Sequence, residues 1–316
     1  MLAAAPTVDE LEAHRPALTA YCYRMLGSPF SAEDAVQETL LRAWRGAARF
    51  EGRAAVKSWL YRIATNVCLR EIERARRRAR PMDLGPARAP EVEHLGGRDA
   101  DSWIEPLPMA MIAGEDPADA VVSRESVRLA FVAALQRLPA RQRAALVLCE
   151  VLHWTAAEAA ELLEASEASV NSALQRARGA LRDLDRDGMA SEDGADRAVL
   201  DRWVAAFEAY DLDALATLMR EDVVQSMPPY ELWLDNRADL LAWMAGPGAG
   251  CAGSRILPAG TANGLPAFAQ YRPDPAGGHA PWGLHVLDVA DGGIAEVTVF
   301  LDVERLFGLF GLPAHL

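Results

Sequence analysis

The sequence predicts a multidomain fold, with two all-α domains followed by an α+β domain. Three observations predict it. The chain has 316 residues, room for about two domains or three small ones. Apolar residues recur at helical spacing over 9–80 and again over 123–186, on either side of a proline-rich acidic stretch. From about residue 254 the pattern favours strands.

The first helical domain spans 1–80. Leu11, Leu18, Cys22 and Met25 share one helical stripe, Val36, Leu40 and Trp44 repeat every four residues, and Leu60, Ile63 and Val67 form a third. Ser31 with Asp34 reads as a cap for the second helix. Six prolines between Pro81 and Pro117 make 81–122 a linker, too long for a passive connection inside one domain. Over 123–186, Val127, Phe131, Leu135 and Leu138 form a stripe, Pro139 starts the next helix, and Val147, Leu148, Val151 and Leu152 face inward. Thr155-Ala-Ala-Glu158 is a capping box, and a turn at Ala165–Glu167 leads into a helix over about Ala168–Arg182. Residues 187–195 read as a flexible connection. The last domain, 196–316, opens with a helix carrying Leu200, Trp203, Val204 and Phe207. Asp211 can cap a second helix, with Leu212, Leu215 and Met219, and Asn236 a third. Asp291-Gly292-Gly293 is a hairpin turn between strands at 282–290 and 294–301 in a mostly antiparallel sheet.

The formal net charge is −13, which taken alone argues against a nucleic-acid binder. Its distribution argues otherwise. Residues 1–80 carry 14 basic and 9 acidic side chains, 81–125 carry 3 and 10, 126–186 carry 8 and 7, and 187–316 carry 7 and 19. The acidity therefore sits in the linker and the tail. Four dispersed cysteines without C-x-x-C spacing argue against a disulfide framework or a zinc site and fit a reduced cytoplasm. No apolar run approaches about 18 residues, so no membrane span is expected. The amino-terminal stretch lacks the basic flank and apolar core of a signal peptide.

Two constellations carry the functional expectation. Residues 156–175 read as a helix-turn-helix, with Ala160 where the helices cross and Val170 seating the second helix. That helix turns Asn171, Ser172, Gln175, Arg176 and Arg178 outward, and from Ala168 to Arg182 it has three arginines and no acid, suited to a major groove. The same pattern is compatible with a helical hairpin inside a core. Many such motifs place Gly at the end of the first helix. Here Glu164 stands there, at a cost of about 1–2 kcal/mol if it must be left-handed. The second constellation is Arg70–Arg80, six arginines against two acids, continuing a helix with Trp59, Tyr61, Arg62 and Asn66. Arginines among aromatics suit unpaired bases, although a solvated basic face gives the same composition.

The order and spacing of these elements resemble the extracytoplasmic-function group of sigma-70 factors over residues 9–186. The resemblance rests on Tyr23-Arg-Met-Leu-Gly27, Ala32-Glu-Asp-Ala-Val-Gln-Glu38 with Ala43-Trp44, Phe50-Glu-Gly52 and Trp59-Leu-Tyr-Arg-Ile-Ala-Thr-Asn66. It continues with Leu138-Pro-x-Arg-Gln142, Trp154-Thr, Ser169-Val-Asn-Ser172 and Arg176-Ala-Arg178. It implies that 1–80 is sigma region 2, with Asp34, Gln37 and Glu38 docking on the β′ clamp helices of core RNA polymerase. Arg49, Phe50, Arg53, Trp59, Arg62, Asn66 and Arg70 would then grip the flipped −10 strand of promoter DNA. It implies that 123–186 is region 4, bound to the β flap and reading the −35 duplex through Ser169, Asn171, Ser172, Gln175, Arg176 and Arg178. Ala173 stands where many relatives carry Arg. The linker would thread toward the polymerase active centre.

The tail resembles SnoaL-like polyketide cyclases and the wider nuclear-transport-factor-2-like fold, an α+β cone. Met227-Pro-Pro-Tyr-Glu-Leu-Trp233 is similar to their pocket-rim stretch, and Trp103-Ile-Glu-Pro-Leu-Pro108 to a linker word of the sigma factors that carry such a tail. The implied role is regulation of the factor by its own tail, through contact with the sigma domains. Tyr230, Trp233, His285 and Asp302, with Asp222 nearby in type, could line a pocket for a small molecule. No paired catalytic constellation is visible, so no catalytic residue, cofactor or metal is expected. Two other readings stay open: a helix-turn-helix regulator with a ligand-sensing tail that never meets polymerase, and a cyclase-like enzyme with a DNA-binding adaptor.

Overall fold

The computed structural model describes residues 5–50, 52, 55–113, 126–181 and 194–316, and its contacts divide the chain into two units. One unit joins Met1–Arg78 to Ile104–Arg186, and the other joins Ala79–Trp103 to Asp187–Leu316. The proline-rich stretch is thus shared: its first part packs with the tail, its later part with the helical unit.

In the helical unit, α1 (Val8–Glu12) and α2 (Arg15–Leu26) are followed by α3 (Pro29–Gly46) and α4 (Val56–Arg74). Leu18, Tyr21, Cys22 and Met25 of α2 bury against Val36 and Leu40 of α3 and Leu60, Tyr61 and Cys68 of α4. Tyr21 and Tyr61 meet edge to face at 5.2 Å, and the Tyr21 hydroxyl lies 2.7 Å from Thr65 Oγ1, which satisfies a polar tip inside an apolar core. The second helix starts earlier than the sequence suggests. Ser28, not Ser31, is the cap, because Pro29 lacks an N–H and fits the first helical position. Trp44 is also misplaced by its spacing: it is 59% exposed, one turn beyond the buried stripe.

Ser126–Val127 leads into α5 (Leu129–Arg137), then α6 (Ala140–Leu146), which continues as a π-turn over Val147–Val151. α7 (Ala156–Leu162) is opened by the Thr155–Glu158 capping box, as expected. α8 (Glu167–Leu181) follows a turn in which Glu164 has φ 51°, the left-handed conformation anticipated from the missing glycine. Arg182 and residues 187–193 of the expected connection 187–195 lie outside the described residues, and its last two, Gly194 and Ala195, already belong to a helix. Ile104, Glu105 and Leu107 are buried in this unit, tied to α2 by Tyr23 Oη donating to Glu105 O at 2.8 Å and Glu105 N donating to Gly27 O at 3.0 Å. Gly27 ends α2 at φ 72°, which leaves its carbonyl free for that bond.

The tail unit has α9 (Gly194–Ala209), α10 (Leu212–Leu218), β1 (Met219–Ser226), β2 (Trp233–Leu234), α11 (Arg237–Ala245), β3 (Arg255–Ala262), β4 (Leu265–Pro273), β5 (His279–Ala290), β6 (Gly293–Phe300) and α12 (Val303–Leu309). The sheet order is β2-β1-β6-β5-β4-β3, and only the β1–β6 pair is parallel. Asp211 and Asn236 cap their helices by accepting from Ala214 N and Asp239 N. Asp291 and Gly292 both have positive φ, the requirement of a two-residue I′ hairpin. β1 was hidden in the sequence because Met219 continues the helical spacing of Leu212 and Leu215. In the fold Met219 is the first residue of the strand.

The sheet separates two apolar layers by alternation. Leu287, Val289, Val297 and Val299 pack against Trp203 and Phe207 of α9 and Leu240, Trp243 and Met244 of α11. Ala269 and Tyr271 point the other way, against Phe307 of α12. Glu164→Gly removes the left-handed penalty in the helix-turn-helix and is expected to stabilise the helical unit by about 1 kcal/mol in chemical denaturation.

Candidate functional site

The second helix of the helix-turn-helix is built as an outward-reading surface. Val170, Ala173, Leu174 and Ala177 are buried at helical spacing, so Ser169, Asn171, Ser172, Gln175, Arg176 and Arg178 are all exposed. Ala173 is 8% exposed and seats the helix; it is not an outward position. Arg178 pairs with Glu150 at 2.5 Å.

On the first helical domain, Asn66 and Arg70 are exposed on α4, and Phe50 stacks against half-buried Trp59 at 5.0 Å. Arg49 ends a single 3-10 turn over Ala47–Arg49, and Arg53 lies outside the described residues. Arg62 is exposed and pairs with Glu161 of α7 at 2.9 Å. Within this unit the two helical domains pack on one another: Tyr61 meets Trp154 at 5.6 Å. Two buried arginines, absent from the sequence reading, hold this contact. Arg24 donates to Ser126 Oγ at 2.6 Å, and Arg143 reaches Met25 O, Gln136 Oε1 and the carbonyls of Gln136 and Leu138. Desolvation brings both guanidinium groups down to about 10.

A separate face of α3 exposes Asp34 and Gln37 with Leu41 and Trp44, while Glu38 is half-buried and pairs with Arg42 at 2.5 Å. Gln37, Leu41 and Trp44 line a shallow groove with Val8, Leu11 and Leu40. Val8 of α1 and Leu41 and Trp44 of α3 are 54%, 39% and 59% exposed, an apolar strip shared by the two helices.

The tail encloses a cavity of about 340 Å³ between α9, α11 and the concave face of the sheet. Trp203, Phe207, Tyr210, Tyr230, Trp243 and three methionines supply its apolar walls, and Gln225, Gln270, Arg272 and His285 its polar groups. Of the expected pocket residues, Tyr230 and His285 line it. Trp233 does not; its indole Nε1 donates to Gly85 O at 2.9 Å. Asp302 sits at the start of α12 beside Arg305, and exposed Asp222 pairs with Arg220 at 2.8 Å. Acids therefore stand outside the cavity: among the described lining residues there is no carboxylate. Gln270, on the same strand face as Phe268, was not singled out in the sequence, and Trp203 and Phe207 were read only as helix positions.

His285 is held by a hydrogen-bond chain whose direction is fixed at its far end. The Cys251 carbonyl can only accept, so Ser254 Oγ donates to it at 2.7 Å. Ser254 Oγ then accepts from Gln270 Nε2 at 2.9 Å, which turns Gln270 Oε1 toward His285 Nε2 at 2.8 Å. His285 therefore carries its proton on Nε2. Its Nδ1 is a buried acceptor with no hydrogen-bond partner among the described residues. Gly283 stands opposite Gln270 on β5, and a Cβ there would fall 2.9 Å from Val299 Cγ1, so glycine keeps the strands closed around the pair.

Burial between Trp203 and Phe207, at ring distances of 5.5 and 5.4 Å, lowers His285 from 6.5 to about 3. A folded-state value below the unfolded one means that unfolding takes up a proton between pH 6.5 and 3. The stabilisation is present above 6.5 and is lost as pH falls. Calorimetry of the full chain at pH 7 and pH 5 is expected to show a loss of tail stability about 2 kcal/mol larger than in His285→Gln.

Residues 11–78 match the model of sigma-70 region 2, residues 128–181 that of sigma-70 region 4, and residues 200–297 that of the SnoaL-like domain. The ECF RNA polymerase sigma factor SigG of Mycobacterium tuberculosis (strain H37Rv) is 45% identical over 96% of this chain and 83% of its own length. SigJ of the same organism is 31% identical over 68% of this chain and 63% of its own length. The crystal structure of Mycobacterium tuberculosis SigJ shares the fold with a TM-score of 0.63 at 24% identity, covering 98% of this chain and 100% of that one. Among the described residues no helix is long and apolar enough to cross a membrane. The chain belongs to the extracytoplasmic-function RNA polymerase sigma factors, with sigma regions 2 and 4 followed by a SnoaL-like domain.

Proposed function

We propose that this sigma factor docks on the β′ clamp helices through Asp34, Gln37 and Glu38 together with the apolar strip of Leu41 and Trp44. It captures the −10 strand with Phe50, Trp59, Arg62, Asn66 and Arg70, flanked by Arg49 and Arg53, and reads the −35 duplex with the outward face of α8, while region 4 meets the β flap. The observation that carries the promoter reading is that face: six polar or cationic side chains exposed together, with the intervening residues buried. Phosphate contacts position such a helix and its first turns meet the base edges. The Arg62–Glu161 pair is solvent-exposed, with side-chain exposures of 45% and 77%, and is worth about 0.2–1 kcal/mol, so a DNA phosphate can displace the carboxylate. A cytoplasmic location follows from this role.

The tail acts on the linker, in this reading, rather than as an enzyme. A neutral His285 in a fixed tautomer and a cavity wall without a carboxylate, among the described residues, supply no acid–base pair. The segment 79–103 packs with the tail. A linker held there is withheld from the polymerase, so the tail restrains initiation until the segment is released.

Trp44→Ala is expected to leave folding within about 0.5 kcal/mol, because the ring is exposed, and to weaken binding to core polymerase about tenfold or more by fluorescence anisotropy. Leu95→Asp places a charge against the tail core and is expected to raise run-off transcription with core polymerase severalfold. Unchanged output with the linker shown to be undocked would sink the restraint.

A further inference from the structure

We infer that the −35 element is selected at an A·T pair whose adenine Gln175 reads in the major groove, with the methyl group of a nearby thymine against Ala168. The inference rests on the reading of α8 as the −35 helix, and it adds which bases that helix selects.

The orientation of α8 follows from its buried stripe. Val170, Ala173, Leu174 and Ala177 are buried on one side of the helix. At about 3.6 residues per turn, the line opposite that stripe carries Ala168, Ser172, Gln175 and Gly179. All four are exposed. Ala168 and Gly179 keep the two ends of this ridge low, and a Cβ on Gly179 would meet nothing within 4 Å. Gln175 is therefore the one long side chain on the ridge, and among the described residues nothing holds its amide. The arginines sit off the ridge. Arg176 lies on one flank with Ser169, and Arg178 on the other with Asn171. Arg178 is held there by Glu150 at 2.5 Å. A helix in a major groove turns its outermost line to the base edges and its flanks to the phosphate walls. The cations of α8 thus face phosphates, and a neutral amide faces the bases.

The chemistry of the ridge then selects the base. A carboxamide offers a donor and an acceptor side by side. Adenine presents the matching pair in the major groove, an N7 acceptor and an N6 donor. Guanine presents two acceptors there, which suit Arg or Lys, and the ridge holds neither. Ser172 bonds to either kind of base edge and discriminates little. Ala168 is a bare methyl group, and its fitting contact is the methyl of thymine. Seven residues separate it from Gln175, about 10 Å of helix, so that thymine lies up to about three base pairs from the adenine.

The test uses holoenzyme formed from the full-length chain and core polymerase. Selection from random duplex DNA is expected to return an upstream element in which one position favours A·T over G·C about tenfold or more. Gln175→Ala is expected to lose that preference and keep the others, and Gln175→Arg to move it to guanine. Gln175 is exposed, so neither variant disturbs folding. The contact itself is read with 7-deazaadenine, which lacks the N7 acceptor. At that position it is expected to weaken binding of the unaltered chain about tenfold and of Gln175→Ala hardly at all, a coupling that assigns the contact to this side chain. Uracil in place of the thymine removes one methyl group and is expected to weaken binding about threefold, with no effect in Ala168→Gly. A G·C preference at the position that Gln175→Ala relaxes, or equal binding of adenine and 7-deazaadenine, overturns the adenine reading. Neutral uracil overturns the methyl contact. An upstream element unchanged when Asn171→Ala and Gln175→Ala are combined overturns the assignment of α8 to the −35 duplex, on which the inference stands.

Discussion

A linker that must complete the tail is the constraint on which the second unit depends. The concave face of the sheet and the helices α9 and α11 converge on an apolar cavity that they do not close by themselves. Leu95 covers part of that wall, and the backbone of 85–98 runs along the rim segment 228–234. Each of the backbone hydrogen bonds contributes about 0.5–1.5 kcal/mol net, and the Arg98–Glu231 pair less than about 1 kcal/mol. Contacts of that size hold a segment firmly at equilibrium and still let it leave, which is what a regulated linker requires.

The helical unit applies a similar logic to its own two parts. Regions 2 and 4 meet through buried Arg24 and Arg143, whose protons are satisfied in part by carbonyls and hydroxyls. Burying a guanidinium is costly, and the lowering of both groups to about 10 reports that cost. An interface built this way is specific without being strongly adhesive. The Tyr61–Trp154 contact and the Arg62–Glu161 pair lie along α4, the helix assigned to strand capture. Under the proposed strand capture, promoter engagement would compete with this packing.

Most local signals were legible in the sequence, the cap at Ser28 rather than Ser31 being an exception. The Thr155 capping box, the left-handed Glu164, the Asp291-Gly292 turn and the helix caps at Asp211 and Asn236 all depend on neighbours within a few residues. The outward face of α8 was legible because burial at helical spacing fixes which positions remain. The cavity was only half legible. His285 and Tyr230 line it, but Gln270, Trp203 and Val92 come from β4, α9 and the linker, and no sequence period relates them. Asp302 and Trp233 drew notice as residue types, and the fold turns them to other partners. The docking of the linker left no periodic trace, because it uses backbone groups and a few scattered side chains, Val92, Leu95 and Arg98, in a proline-rich stretch.

Charge is consistent with the path of residues 85–98 along the tail. The linker and tail are both acidic, with net charges of −7 over 81–125 and −12 over 187–316, so an average linker segment is repelled by the tail. Residues 85–98 are different: Arg88 and Arg98 balance Glu91 and Glu93. A neutral segment meets no long-range penalty at an acidic surface, and Arg98 gains a local partner in Glu231. The remaining acidic residues of the linker, Asp83, Asp99, Asp101, Glu105 and beyond, flank that stretch. The overall charge of −13 thus hides a segregated arrangement: an excess of basic residues over 1–80, and a linker stretch, 85–98, whose charges balance where it runs along the rim of an acidic body.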